Sequence, residues 1–182
     1  GLGGSRHTGC SGLALLRVSD NGAGMTRADA PLALERFATS KLRAAADLDA
    51  IKTLGYRGEA LPSIAAVAEV EILTRTSEEL EGTLAKGLKP SQGSIISPVA
   101  SPVGTSVTVR ALFRDLPARR KFLKSPMREG ELVHQTIVRY ALAYPSIAFR
   151  LVGDGRAMFA APAQSLLERI GAAWGRDPEV VA

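Results

Sequence analysis

The sequence predicts an α/β fold, a two-layer α+β sandwich in which a mixed sheet carries helices on one face. Two observations lead there. Stretches of period two and stretches of helical spacing interleave along the chain, but in no regular strand–helix–strand rhythm. The chain also shows no internal repeat and no coiled-coil heptads. Composition agrees, since 46% hydrophobic and 23% charged residues belong to a globular chain, not a disordered one.

The elements follow in order. Residues 1–12, rich in glycine and small polar groups, form a lead-in without periodicity. Residues 13–18, Leu-Ala-Leu-Leu-Arg-Val, form a short apolar run expected to be a buried strand. Asp20-Asn21-Gly22-Ala23-Gly24 then turns the chain. Residues 27–37 read as a helix with Leu32, Leu34 and Phe37 toward the core, and Asp47 before Leu48, Ile51 and Leu54 suggests a short capped helix. Gly55 and Gly58 bracket a turn before a further helix, about Glu59 to Val67. Val70, Ile72 and Thr74 share one face of a strand over Glu69–Thr76. Residues 77–104 are polar and rich in Gly, Pro and Ser, with a strand expected only near Ser94–Ser97. Thr105 to Leu112 alternates Val107, Val109 and Ala111, another strand. Beyond a basic loop at 114–124, Leu132, Val133, Ile137, Tyr140, Ala141 and Tyr144 recur at helical spacing from Pro126 to Tyr144. Ile147–Val152, Gly153-Asp154-Gly155 and Met158–Ala160 read as a hairpin. Ser165 with Glu168 is the signature of a capping box opening a last helix through Trp174.

Several function classes drop out early. No apolar run is long enough to span a membrane, and the first residues lack the apolar core of a secretory signal. One cysteine, Cys10, permits neither an internal disulfide nor a metal cluster, so a reducing, cytoplasmic setting is expected. The net charge of +5 is unevenly placed. Residues 110–150 hold nine Lys/Arg against three Asp/Glu, a net of +6, so the rest of the chain is close to neutral. Such a segment suits a polyanion such as nucleic acid, although a solvated helix face would have the same composition.

Five short motifs carry candidate chemistry. Asp20 at a strand end offers an acceptor-only carboxylate to a donor such as an adenine amino group, while Gly22 and Gly24 allow close backbone approach to a ligand. The same Asn-Gly pattern also makes a plain surface turn. Thr39, Ser40 and Lys41 put two hydroxyls beside an ammonium, which suits a phosphate, or equally a helix end. Gly55-Tyr56-Arg57-Gly58-Glu59-Ala60 is a glycine-flanked turn opening a helix, a generic anion site. It lacks the P-loop pattern, and the chain lacks the dinucleotide fingerprint. Gly104-Thr105 leads into a strand, where Thr105 either bonds a ligand or simply starts the strand. Five cations, Arg114, Arg119, Arg120, Lys121 and Lys124, lie within eleven residues, with Phe113, Phe122 and Leu123 as expected anchors in the core.

In this order and spacing, the Asp20 turn, Ala38-Thr39-Ser40-Lys41, Gly55 to Leu61, Gly104-Thr105 and Pro117 to Leu123 closely resemble the MutL-type mismatch repair family of GHKL ATPases. The resemblance spans about residues 13–175. It implies a GHKL (Bergerat-type) fold with ATP as ligand and magnesium in the complete parent protein. It further implies that Asp20 binds the adenine amino group and that Gly22 and Gly24 shape the pocket wall. Thr39, Ser40 and Lys41 would sit in the ATP lid, residues Gly55, Tyr56, Arg57, Gly58, Glu59 and Ala60 would wrap the triphosphate, and Thr105 would support the adenine side. DNA contacts are expected from Arg119, Arg120, Lys121 and Lys124. The implied partners are DNA and other mismatch repair proteins, in a homodimeric or heterodimeric parent, cytoplasmic or nucleoid-associated. On this reading residues 13–145 form the ATP-binding domain and 146–182 the opening of a transducer domain.

The pattern also departs from the family. The resemblance implies a helix before the first strand, bearing a general-base Glu and a magnesium-binding Asn. This chain has no Glu before Glu35, and its one Asn is Asn21, inside the turn. Two function readings are therefore expected to compete: an ATP-driven switch of mismatch repair, and a non-hydrolysing remnant that binds DNA through the basic segment. A GHKL kinase or topoisomerase is the third, and the Pro117–Leu123 stretch argues against it.

Overall fold

A computed structural model describes residues 14–35, 58–87 and 94–174. By its internal contacts the chain divides into two units, with the break between Phe122 and Leu123. The expected helix after Asp47 and the expected core contact of Phe37 lie outside the described residues.

The first unit is built on a five-stranded sheet. Its strands are β1 (Leu15–Asp20), β2 (Glu69–Arg75), β3 (Gly82–Gly87), β4 (Ser94–Val99) and β5 (Gly104–Arg110). They lie in the order β1-β5-β2-β3-β4, and each of the four described ladders is antiparallel. Two short helices accompany them, α1 (Asp29–Leu32) and α2 (Ala60–Ala65). A single helical turn, α3 (Pro117–Arg120), follows β5.

Period two decides which face is which. Val70 and Ile72 of β2 and Ala85 of β3 are buried, and with Ala30 of α1 they form the core. Met25, Leu34, Leu61, Ala65, Val107 and Val109 pack against it. Helix residues and sheet residues thus meet on one face, which agrees with the α/β sandwich. The other face is charged: Glu71 lies 3.0 Å from Lys86 and 2.9 Å from Arg110, residues beside it on neighbouring strands. The bonds from Lys86 and then Arg110 hold the Glu71 carboxyl below its usual range.

Five expectations need correction. The first strand is not buried: β1 is exposed along its whole length, with Val18 at 61%. An apolar run reports what a strand can bury, not what covers it. The helix expected over residues 27–37 is four residues long, and Leu32 is exposed. The Gly/Pro/Ser-rich stretch holds an unexpected strand, β3, which contributes Thr83 and Ala85 to the buried face. Finally, Phe122 is 83% exposed and anchors nothing in the core among the described residues. Ala111 likewise leaves the alternation, because the chain turns there with φ 54°.

The second unit packs a long helix, α4 (Pro126–Ala143), with a hairpin of β6 (Phe149–Gly153) and β7 (Arg156–Ala161) and a last helix, α5 (Leu166–Trp174). Ser125 caps α4 through its side chain and Pro126 occupies the first turn, where its missing N–H costs nothing. Asp154 and Gly155 both have positive φ, the geometry that a two-residue Asp-Gly hairpin turn requires. The capping box is present: the Ser165 backbone N donates to Glu168 Oε2 at 2.8 Å, and Glu168 N donates back to Ser165 Oγ.

Candidate functional site

The Asp20 turn is held against the ends of β5 and β2. Antiparallel register sets Asp20 opposite Thr105 and Thr105 opposite Thr74, so the three side chains share the helix-bearing face of the sheet. Asp20 Oδ1 accepts from Gly22 N at 2.9 Å and from Thr105 N at 3.3 Å. The first bond closes the turn locally, and the second ties it across the ladder.

Two glycines are there because nothing larger fits. Gly24 has φ 74°, and a Cβ on it would stand 2.0 Å from the Arg75 carbonyl oxygen. Gly104 has φ 119°, and its Cβ would stand 2.2 Å from the Asp20 carbonyl oxygen. Both conformations disfavour L side chains, and both contacts are with backbone that cannot yield. The result is a cradle in which three chain segments meet at backbone distance around one carboxylate.

The loop after Gly24 is pinned as well. Met25 N donates to Thr74 Oγ1 at 2.8 Å, and Arg27 N donates to Glu79 Oε1 at 3.0 Å. The Arg27 bond is the main reason the Glu79 carboxyl lies below its usual range. Thr74 is fully buried, and its hydroxyl also reaches Gly104 O and Thr105 Oγ1, each at 3.1 Å. The sequence puts Thr74 on one strand face with Val70 and Ile72 and assigns it no role. The signal was present: a hydroxyl in phase with Val70 and Ile72 must be buried, and a buried hydroxyl needs partners.

The remaining site expectations are placed as follows. Gly58 has φ 63° and leads into Glu59, the exposed N-cap of α2, whose side chain caps nothing. Ala60 is the first residue of that helix. Thr39, Ser40, Lys41, Gly55, Tyr56 and Arg57 lie outside the described residues. Arg119 and Arg120 lie in α3, and Lys121 and Lys124 follow it. All four are exposed, and no ion pair among the described residues uses any of them. Arg114 differs: it pairs with Glu69 and with Asp115.

A cavity lined by Ala65–Glu69, Gly87, Ala111 and Arg114–Leu116 lies at the opposite ends of β2 and β5 from Thr74 and Thr105. It contains none of the residues expected to bind nucleotide. The Asp20 carboxylate and its two backbone N–H partners lie at the other end of these strands.

The sheet with helices on one face matches solved MutL ATPase domains. The ATPase domain of Aquifex aeolicus MutL complexed with ADP superposes with a TM-score of 0.69 at 31% identity, over 90% of this chain and 58% of that one. A second Aquifex aeolicus structure, the ATPase domain of the mismatch repair endonuclease MutL, gives 0.64 at 29% identity, over 89% of this chain and 53% of that one. In sequence the chain is 49% identical over 175 residues to the DNA mismatch repair protein MutL of Opitutus terrae, and 47% identical over 167 residues to that of Desulforudis audaxviator. Those matches span 94% and 90% of this chain but only 27% and 29% of the relatives, so the chain corresponds to under a third of their length. No family model matches. The chain is homologous to part of the MutL-type DNA mismatch repair proteins.

Proposed function

We propose that this chain is the nucleotide-binding part of an ATP-driven switch in DNA mismatch repair, with Asp20 reading the adenine amino group. The observation that carries the reading is the cradle: a carboxylate fixed by Gly22 N and Thr105 N, where Gly24 and Gly104 leave no room for a Cβ. An ionised carboxylate only accepts, so it suits the two N–H donors of an exocyclic amine. Gly58 to Ala60 would face the phosphates at the opening of α2, with Thr105 on the base side. Among the described residues no group of three or more His, Cys, Asp or Glu side chains could hold a metal ion.

Isothermal titration of ADP into the 182-residue chain and into Asp20→Asn tests this. The substitution sets a donor against a donor and leaves a mismatched polar pair, which costs about 1–3 kcal/mol. Affinity for ADP should fall by about fivefold to a hundredfold, and equal affinities would remove Asp20 from the site.

A second contact, with DNA, is supported by Arg119, Arg120 and Lys121. These cations are exposed and free of ion pairs among the described residues, as phosphate-neutralising groups must be. The non-hydrolysing, purely DNA-binding alternative is not favoured, because the likeness to a MutL ATPase domain complexed with ADP covers 90% of this chain.

A further inference from the structure

The turn between β2 and β3, residues 76–81, contributes no group to the cradle, yet it is bonded to segments on both sides of it. Glu79 sits in this turn. Its Oε1 accepts from Arg27 N at 3.0 Å and its Oε2 from Thr76 Oγ1 at 3.2 Å. Arg75, at the end of β2, donates from Nη1 to Glu79 O at 2.9 Å and from Nε to Ser101 O at 2.6 Å. The Arg75 side chain therefore ties the turn to the segment that leads into Gly104, and the Glu79 side chain ties it to the segment that leaves Gly24. We infer that Glu79 is a positioning residue for nucleotide binding, acting by holding the loop after Gly24 against the turn between β2 and β3.

The loop leaves Gly24 with Met25 N on Thr74 Oγ1. It then enters a turn that opens α1, in which Thr26 O accepts from Asp29 N at 3.1 Å and from Ala30 N at 2.9 Å. Arg27 is the second residue of that turn. Its N–H lies in the first turn of a helix start, where no helical carbonyl can reach it. Glu79 supplies the acceptor from 52 residues away. A bond from a backbone N–H to an ionised carboxylate is the stronger kind. Both Glu79 oxygens are engaged by the protein itself, so the residue acts through the loop and not on a ligand. Without the carboxylate, the loop keeps the Met25 bond and loses the hold at Arg27. It then samples more conformations in the free protein, and ordering them opposes the binding of a ligand in the cradle.

The inference rests on the nucleotide reading above, and the two fail in different ways. ADP is titrated into the 182-residue chain, Glu79→Ala, Glu79→Gln, Arg27→Ala and Arg27→Pro. Alanine at 79 removes the acceptor, and glutamine restores an uncharged one. Proline at 27 deletes the N–H itself at the second position of a turn, where its fixed φ is favoured. Arg27→Ala keeps the N–H and is the reference for it. Affinity for ADP should fall roughly threefold to tenfold in E79A, as befits one hydrogen bond. E79Q should recover most of the loss, and R27P should show a similar loss against R27A. When E79A and R27P are combined the losses should not add, because both delete one bond. Unchanged affinity in a folded E79A would reduce Glu79 to a structural residue and overturn the inference. Should E79A prove too unstable to titrate, equal affinities of R27P and R27A overturn it equally. Absence of binding by the unsubstituted chain would strike at the nucleotide reading itself, and the inference would fall with it.

Discussion

At the scale of single residues, backbone carbonyls satisfy part of what the chain buries, while Arg169 Nε and Nη1 and Gln164 Nε2 are buried without a partner. Arg169 is the severest case. Its side chain is fully buried, and Nη2 lies 2.8 Å from Pro145 O, 2.9 Å from Ile147 O and 2.6 Å from Pro162 O. Its guanidinium stands 5.9 Å from the Phe149 ring centre, within cation–π range. No carboxylate pairs with it among the described residues. The guanidinium thus ties the loop after α4, the end of the hairpin and α5 together. Replacement by an apolar side chain of similar length should free those carbonyls, at about 1–3 kcal/mol for each one left unpaired. Arg169→Met is therefore expected to lower the unfolding free energy by about 3 kcal/mol or more, read from urea denaturation. A variant as stable as the parent would mean that burying the cation costs as much as its bonds return.

At the scale of elements, what the sequence made legible was whatever depends on local chemistry. Gly24 and Gly104 stood out because positive φ and backbone contact restrict the residue type. The period of Val70, Ile72 and Thr74 gave the right strand and face, and Ser165 with Glu168 gave the right helix start. Elements that depend on neighbours were not legible. β3 reads Gly-Thr-Leu-Ala-Lys-Gly, with a glycine at each end and little strand preference. It is a strand because β2 and β4 pair with it on both sides, and Gly82 is small because a Cβ there would meet Ser101 Cβ at 2.5 Å. β1 was misjudged for the converse reason, since apolarity is a property of the strand and burial is a property of its surroundings.

The basic element at α3 belongs to this scale too. Arg119, Arg120 and Lys121 are exposed and unpaired among the described residues, so nothing local accounts for three adjacent cations. If they neutralise phosphates, binding to duplex DNA should weaken as salt rises, because released counterions drive it. Replacing all three by Glu should weaken binding and flatten the salt slope by about three counterions' worth. Binding curves at several salt concentrations decide this, and an unchanged slope would assign the segment to structure alone.

At the scale of the molecule, the proposed nucleotide site lies within the sheet unit. Asp20, Gly24, Thr74 and Gly104 all fall within residues 14–122, as does the loop pinned by Glu79. The hairpin of β6 and β7 and helix α5 fall in the other unit. Ligand bound at the cradle should therefore stabilise backbone amides around it through the local opening equilibrium, which hydrogen exchange reads residue by residue. The measurement is amide exchange in the 182-residue chain with and without saturating ADP. Slowed exchange is predicted at Gly22, Met25, Arg27 and Thr105, with the hairpin amides from Phe149 to Ala161 unchanged. Protection confined to the hairpin, or none at the Asp20 turn under conditions where ADP is bound, would contradict the account.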